Sequence, residues 1–253
     1  MSAIAKLNRG KEHLARLRQV IDEYHASTPF RALCEEEKET GDLVYRVKII
    51  KPVPSEELGL LVGDLIHNLH SALDLRISEL VVANGNTPTR DNAFPFSKTA
   101  QEIQNVSTRC LIGVSTTQAQ LIIGLNPFQG GNSLLWELHH LDILDKHRQL
   151  IITGSAQRSV IIDPSVRFRK MQPEWNIPGI SIAIQPVERV FPLVDGVELF
   201  RVKKVARTEG LEEKVGFHFE IAYSDRNNAY GEVLLSKMEA MVTEVERVLT
   251  QLQ

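Results

Sequence analysis

Cysteine is scarce in this sequence, and the two that occur, Cys34 and Cys110, stand far apart. Neither has a partner at the short spacings that are typical of zinc sites or redox pairs. A disulfide framework is therefore not expected, and a reducing compartment is the expected environment of the chain.

Long apolar runs are also lacking. No stretch approaches the roughly 20 apolar residues that are needed to cross a bilayer. The N-terminal segment, residues 1–17, is interrupted by charges and has no continuous apolar stretch of the kind found in a secretory signal. We therefore expect a cytoplasmic protein that has no membrane partner.

An excess of positive charge is missing as well, since the formal net charge is −3. Proteins that bind nucleic acid or membrane surfaces are usually strongly basic, so neither partner is expected. Basic residues do cluster near the N-terminus, but few aromatic residues lie among them, and we interpret them as a solvated face. The glycine-rich phosphate loops of nucleotide-binding proteins and the nucleophile elbow of serine hydrolases are absent from the sequence.

What is present is the composition of an ordinary globular protein, with 43% hydrophobic and 24% charged residues. Apolar residues recur at helical spacing over residues 3–26 and again over residues 55–84, which predicts two long helices. Between them, residues 31–50 contain alternating apolar and polar side chains and the turn Thr40-Gly41-Asp42, which predicts a β-hairpin.

Shorter helices are predicted farther along the chain. Residues 99–102 and residues 115–118 each fit a capping box, in which a hydroxyl side chain and a Glu or Gln satisfy the first N–H groups of a helix. Asn132 or Ser133 is expected to cap a further helix of about 20 residues.

From Gly154 the pattern changes to short strand-like runs without helices between them, which is typical of an antiparallel sheet. Residues 230–252 then predict a final helix whose apolar residues form a coiled-coil-like seam. We expect this seam to pack on the first helix or on the sheet; the alternative is a homodimer contact. The seam consists of Leu234, Met238, Met241, Val245, Val248 and Leu252.

These patterns predict an α+β fold: a helical core with an N-terminal β-hairpin and a C-terminal antiparallel sheet closed by a final helix. No linker composition marks the change near residue 154. We therefore predict a single composite domain over residues 1–253, mostly helical over 1–153 and strand-rich over 154–253.

Two helical segments carry residues that are suited to chemistry. In the first, residues 64–74, a turn of about 100° per residue places His67, His70, Ser71 and Asp74 on one side of the helix. Apolar residues occupy most of the other side, so this segment presents a histidine-rich face.

The second segment, residues 135–148, places Asp145 on an apolar stripe. Arg148 flanks the stripe three residues later, at a spacing that allows an ion pair, and Asp142 flanks it on the other side. The stripe consists of Leu134, Leu138, Leu141 and Ile152. Because burying an unpaired carboxylate is expensive, Asp145 is expected to contact a cation, a metal or several donors.

Three interpretations stay open. In the first, a divalent metal binds between the two helices, as in bundle proteins that use inward-facing histidines and carboxylates. Its ligands would be His67, His70, Asp74 and Asp145. In the second, His67 and Asp145 perform metal-free acid–base chemistry while Arg148 binds an anion such as phosphate. In the third, the polar network is structural and only fixes the register of the two helices.

The segments HNLHSALD, residues 67–74, and LDILDKHR, residues 141–148, resemble paired patterns in a group of bacterial proteins with no assigned activity. Those patterns are close to HNLRSALD and a later DKHR. The resemblance implies a bacterial origin and a site drawn from His67, Asn68, Asp74, Asp145, His147 and Arg148. His70 stands where the pattern has arginine, which weakens an anion-binding role for that position.

The expected function is that of an interaction or small-ligand-binding protein with a His/Asp/Arg cluster between two helices. The alternative is a hydrolase, metal-dependent or RNase-like, that uses the same cluster. In that case His67 would be the acid–base group, and Arg148 would bind the phosphate of a phosphodiester such as RNA.

Overall fold

A computed structural model of the chain describes residues 2–147, 155–162, 182–184, 193–204, 215–223 and 232–253. It confirms the α+β fold with a helical core. The helices are α1 Ala3–Ala26, α2 Ser55–Ala83, α3 Glu102–Cys110, α4 Thr116–Gly124, α5 Ser133–His147 and α6 Leu234–Gln251. The strands are β1 Phe30–Glu36, β2 Leu43–Ile49, β3 Ser155–Ile162, β4 Ile182–Ile184, β5 Glu198–Val202, β6 Val215–Tyr223 and β7 Glu232–Val233.

The contacts of the chain group into two compact units. The first, the helical unit, comprises Met1–Val20, Glu56–Leu150 and Leu235–Gln253. The second, the sheet unit, comprises Ile21–Ser55 and Ile151–Leu234. The prediction of one composite domain is not tested by this grouping and stays a prediction. Within the described part of the chain, none of the helices has the length and apolar character that a membrane span requires.

Four long helices of the helical unit contact one another in antiparallel order. From α1, Lys6 contacts Asn68 and Arg16 contacts Glu57, so α1 and α2 run in opposite directions. From α6, Lys237 donates to Glu137 on α5 at 2.6 Å. The contacts of α6 with α1 are the ion pairs Lys11–Glu246 and Arg18–Glu239. Because α2 also contacts α5, each of the four helices contacts two others, and together they form a four-helix arrangement.

The apolar faces of these helices form the core of the helical unit. The predicted seam of α6 is buried at every position, within the single chain. This supports packing inside the chain over a homodimer contact through the seam. The largest fully buried side chains include Leu17, Leu58, Leu65, Ile66, Leu69, Leu73, Ile77, Leu135, Leu138 and Met238.

The starts of the shorter helices follow the predicted capping in part. The Ser115 hydroxyl accepts a hydrogen bond from the Gln118 N–H at 3.3 Å, which is one half of the second box; among the described residues, Gln118 Oε1 has no hydrogen-bond partner that would complete it. At the first box, the Glu102 N–H donates to the Thr99 hydroxyl, but the Glu102 carboxylate accepts from Lys98. The Asn132 side chain accepts from the Leu135 N–H, so Asn132 is the residue that caps α5.

In the sheet unit, β1 and β2 form the predicted hairpin, with Gly41 in the turn at a φ of 72°, which glycine adopts without strain. One strand departs from the expected grouping, because β5 pairs antiparallel with β2 and extends the hairpin to three strands. Arg201 on β5 fixes this pairing through contacts with Glu37 and Asp42, which belong to the hairpin.

The remaining described strands form a second antiparallel sheet in the order β4-β3-β6-β7. Aromatic side chains join the two sheets, with ring centroids 4.8 Å apart for Phe30 and Phe219 and 5.7 Å apart for Tyr45 and Phe217. Strand β7 leads directly into α6. The predicted antiparallel sheet followed by a final helix is therefore confirmed.

Both cysteines are free, as expected. Cys34 is exposed on β1 and Cys110 is buried at the end of α3. Burial raises the pKa of the Cys110 thiol, because an apolar environment disfavours the charged thiolate.

Candidate functional site

Helices α2 and α5 meet along the two segments that the sequence singled out, and a buried carboxylate lies between them. Asp142 on α5 is only 2% exposed. One of its oxygens lies 3.4 Å from His67 Nδ1, and the other lies 3.9 Å from His70 Nδ1. The buried acid of the site thus lies between two imidazoles of the facing helix, with His67 at the outer limit of hydrogen-bond distance and His70 beyond it.

His70 connects this carboxylate to a second acid and a second helix. Its Nδ1 lies 3.3 Å from an oxygen of Asp74, one turn along α2. Its Nε2 lies 3.1 Å from Nδ1 of His139 on α5. Because an ionised carboxylate only accepts, the proton of a neutral His70 belongs on Nδ1, and His70 Nε2 then accepts from His139.

The rings around His70 form an aromatic stack. Phe96 and His139 are nearly parallel, with centroids 4.4 Å apart and an interplanar angle of 9°. His70 stacks on both rings, and Trp136 packs against His139. The loop that carries Phe96 is anchored at Phe94, whose N–H donates to Asp74 at 2.9 Å. The stack therefore fixes the orientation of both imidazoles.

His67 differs from its neighbours because its side chain is 53% exposed. It projects from a helix whose adjacent positions Leu65, Ile66, Asn68 and Leu69 are buried. An imidazole with one nitrogen facing a buried carboxylate and with half of its surface in water can exchange a proton, or a hydrogen bond, with a bound molecule.

Asp145 lies at a close crossing of the two helices. Its side chain is half-buried, and its carboxylate covers Gly63 on α2. A Cβ atom at Gly63 would lie 2.7 Å from each carboxylate oxygen, so only glycine permits this approach. Asp145 thus packs on the facing helix at Gly63, one helical turn before His67.

The four predicted metal ligands, three on α2 and Asp145 on α5, are spread along the contact of the two helices. Asp145 covers Gly63, whereas Asp74 lies three turns farther on, roughly 16 Å along the helix axis. His67 and His70 lie between them. Within the described ranges, no group of three or more His, Cys, Asp or Glu side chains is arranged to hold one metal ion. Asp74 and Asp145 are thus not brought to one point.

Two of the predicted site positions cannot be placed. Arg148 lies outside the described residues, and so does the side chain of His147. The expected ion pair between Asp145 and Arg148, and the anion-binding role of Arg148, therefore stay predictions.

Sequence reasoning missed Asp142 and His139, which complete the cluster. Asp142 was placed beside the apolar stripe of α5, because the stripe was drawn through Leu134. In the structure Leu135 is fully buried and Leu134 only half-buried, which rotates the buried face toward Asp142. The spacing from Leu135 to Leu138 and on to Asp142, three and then four residues, is the signal that could have located the acid.

No known protein family model matches the chain, and no curated protein or solved structure is significantly similar to it. This agrees with the resemblance noted from the sequence, which carries no assigned activity. The geometry of the cluster of His67, His70, Asp74, His139 and Asp142 is therefore the evidence for its role.

Proposed function

We propose that the chain is a small-ligand-binding protein whose ligand contacts His67 at the surface of the helical unit. The observation that carries the proposal is the half-exposed imidazole of His67 next to the buried carboxylate of Asp142. A carboxylate near Nδ1 favours the tautomer in which that nitrogen carries the proton. Nε2 of His67 is then an acceptor, and it becomes a donor when the ring is protonated.

The burial of Asp142 supports a binding role over a purely structural one. A buried carboxylate is costly unless donors surround it, and His70, whose side chain is 13% exposed, would serve that purpose within the core. His67 adds a second imidazole that is half in water, where its contact with the carboxylate stabilises the fold only weakly. The same carboxylate orients the ring for a ligand.

A ligand-detected NMR screen of small polar compounds tests the proposal. We expect compounds that bind with Kd values of about 1 mM or lower and lose their binding signal with His67→Ala. The matched control is His218→Ala, which removes an exposed histidine of the sheet unit and should leave binding intact. A screen in which every binding signal persists with His67→Ala, or in which none is found, contradicts the proposal.

A second candidate is a hydrolase that uses His67 as a general acid or base. The pairing of His67 with Asp142 favours it, because a carboxylate that orients histidine is a common element of acid–base sites. Activity would be measured on bis(p-nitrophenyl) phosphate and on an RNA oligonucleotide, with and without chelator. His67→Ala should lower the rate at least about 100-fold.

The controls for this candidate separate catalysis from folding. Asp142→Asn should lower the rate less than His67→Ala, because it leaves the imidazole in place. Circular dichroism would verify that both variants fold. Cleavage that is equal in the wild type and in a folded His67→Ala variant rules the candidate out.

A further inference from the structure

A groove lies between α1 and α2, beside the cluster just described. It has a volume of about 500 Å³ and is lined by Ala5, Lys6, Arg9 and His13 of α1 and by Asp64 and Asn68 of α2. The three basic residues of α1 are spaced three and four residues apart, which places them on one face of the helix. The positive charges of Lys6 and Arg9 therefore lie along one wall of the groove.

The floor of the groove is built around a buried amide. Asn68 is 8% exposed, and its Nδ2 donates to the Asp64 carbonyl oxygen at 2.7 Å. Its Oδ1 accepts from Lys6 Nζ at 3.1 Å. The ammonium of Lys6 is thus held in the groove by a neutral group, a contact that orients the cation without neutralising its charge.

Arg9 and His13 add to this wall in different ways. Arg9 contacts Glu12 at 2.7 Å, but both side chains are at least 60% exposed, and such pairs are weak enough to be exchanged for a ligand. The side chain of His13 is 14% exposed, and its Nδ1 lies 4.0 Å from the carboxylate of Asp64. Asp64 is the one acidic residue among the six that line the groove.

We propose that this groove binds a small molecule that carries a phosphate group together with a hydroxyl or amino group. The phosphate contacts Lys6 and Arg9, whose two positive charges match the double negative charge of a phosphate monoester. The hydroxyl or amino group donates to Asp64, which would repel a ligand that is anionic throughout. This binding requires no contribution from His67 and is independent of the function proposed above.

Isothermal titration calorimetry with glycerol 3-phosphate tests the proposal, and glycerol serves as the ligand control. We expect glycerol 3-phosphate to bind with a Kd of about 1 mM or lower and glycerol to give no binding. Lys6→Gln and Arg9→Gln should each weaken binding about 5- to 10-fold. Arg16→Gln is the matched control, because Arg16 lies on the same helix and pairs with Glu57 outside the groove.

A second comparison tests the role of Asp64. The wild type should bind glycerol 3-phosphate more tightly than inorganic phosphate, and Asp64→Asn should remove that preference. His67→Ala should leave both affinities unchanged, which separates this site from the one centred on His67. The proposal is overturned by an absence of binding at 10 mM glycerol 3-phosphate (on the order of ten times the expected Kd), or by equal affinities in the wild type and the Arg9→Gln variant. Because Arg9 is exposed, its replacement cannot act by unfolding the protein.

Discussion

At the scale of single residues, the buried carboxylate of Asp142 is the central feature of the contact between α2 and α5. A carboxylate that is 2% exposed loses nearly all of its hydration on folding, and the imidazoles of His67 and His70 are its nearby polar partners on α2. Because the side chain of His70 is 13% exposed and that of His67 is 53% exposed, Asp142 lies between a largely enclosed imidazole and one at the surface. A substitution of Asp142 is therefore expected to change both the stability of the folded protein and the environment of the His67 imidazole.

The first prediction concerns Asp142→Asn. The amide keeps the shape of the side chain but loses the charge, and its NH₂ group places donors near Nδ1 of His67, which lies 3.4 Å from the carboxylate. We expect the free energy of unfolding to fall by about 1–3 kcal/mol. Urea denaturation would measure the change, with Asp64→Asn as an exposed control that changes little. An unchanged stability of the Asp142 variant would show that the carboxylate is not held as described.

The second prediction concerns His25 in the sheet unit. Burial and the nearby His218 lower the pKa of His25 below 6.5, against the opposing influence of Asp22 and Glu220. The unfolded chain therefore takes up a proton as the pH falls through 6.5, while the folded protein resists it. Above pH 6.5, the neutral His25 ring contributes its full share to the free energy of unfolding. This contribution is lost as the pH falls below 6.5.

Urea denaturation at pH 7.5 and 5.5 checks this prediction. The wild type should lose stability between the two values, and His25→Gln should lose less. His218→Gln should have a smaller effect of the same sign, because it removes only one of the two causes. A pH dependence that is identical in the wild type and His25→Gln would contradict the assignment.

At the scale of secondary-structure elements, the crossing of α2 and α5 depends on Gly63. In an isolated helix, Gly→Ala stabilises by about 0.5–1 kcal/mol. Here the added methyl group would meet the Asp145 carboxylate, and such overpacking costs about 1–3 kcal/mol. We therefore expect Gly63→Ala to lower stability in the wild type and to raise it when Asp145→Ala is also present.

A double-mutant cycle of thermal or urea unfolding measures this coupling, which should be at least about 1 kcal/mol. Gly124→Ala is the control, since a Cβ atom there would meet nothing within 4 Å. Additive effects of Gly63→Ala and Asp145→Ala would show that the two residues do not touch.

Most of the elements could be predicted from local sequence patterns. The helix over residues 3–26 and the hairpin agree with the structure closely, because apolar spacing and turn residues are local signals. The sheet that β5 joins could not be predicted, since strand pairing depends on contacts such as Arg201 with Glu37, more than 160 residues apart in the chain. Alternation identifies a strand but not its neighbour.

The candidate site could be predicted only in outline. The histidines of α2 and their pairing with α5 follow from helical spacing, but the buried acid was assigned to Asp145 and not to Asp142. Asp142 and Asp145 are three residues apart and project only about 60° from each other around a helix. An error of one residue in the apolar stripe of α5 therefore changes which of the two carboxylates is predicted to be buried. The place of His139 in the cluster could not be predicted from helical spacing, because its stacking on Phe96 is a tertiary contact.

At the scale of the whole molecule, the two units are interleaved along the chain. Helix α1 continues from Val20 of the helical unit into Ile21 of the sheet unit without a break. A helix that is shared in this way couples the unfolding of its two parts, since helix formation is cooperative. Joint unfolding of the two units is therefore what the prediction of one composite domain requires.

Differential scanning calorimetry tests that prediction. We expect one transition whose calorimetric and van't Hoff enthalpies agree, with a calorimetric enthalpy of roughly 180 kcal/mol near 60 °C for a chain of this length. Two resolved transitions, or a van't Hoff enthalpy well below the calorimetric one, would show that the units unfold separately.

The ion pair between Lys11 and Glu246 joins residues that are 235 positions apart, and it belongs to the contact of α1 with α6. During translation at 5–20 residues per second, the ribosome needs roughly 10–50 s to add that length of chain. For this time α1 lacks its contact with α6, and the four-helix arrangement of the helical unit is incomplete. Assembly of the helical unit is therefore completed late in the synthesis of the chain.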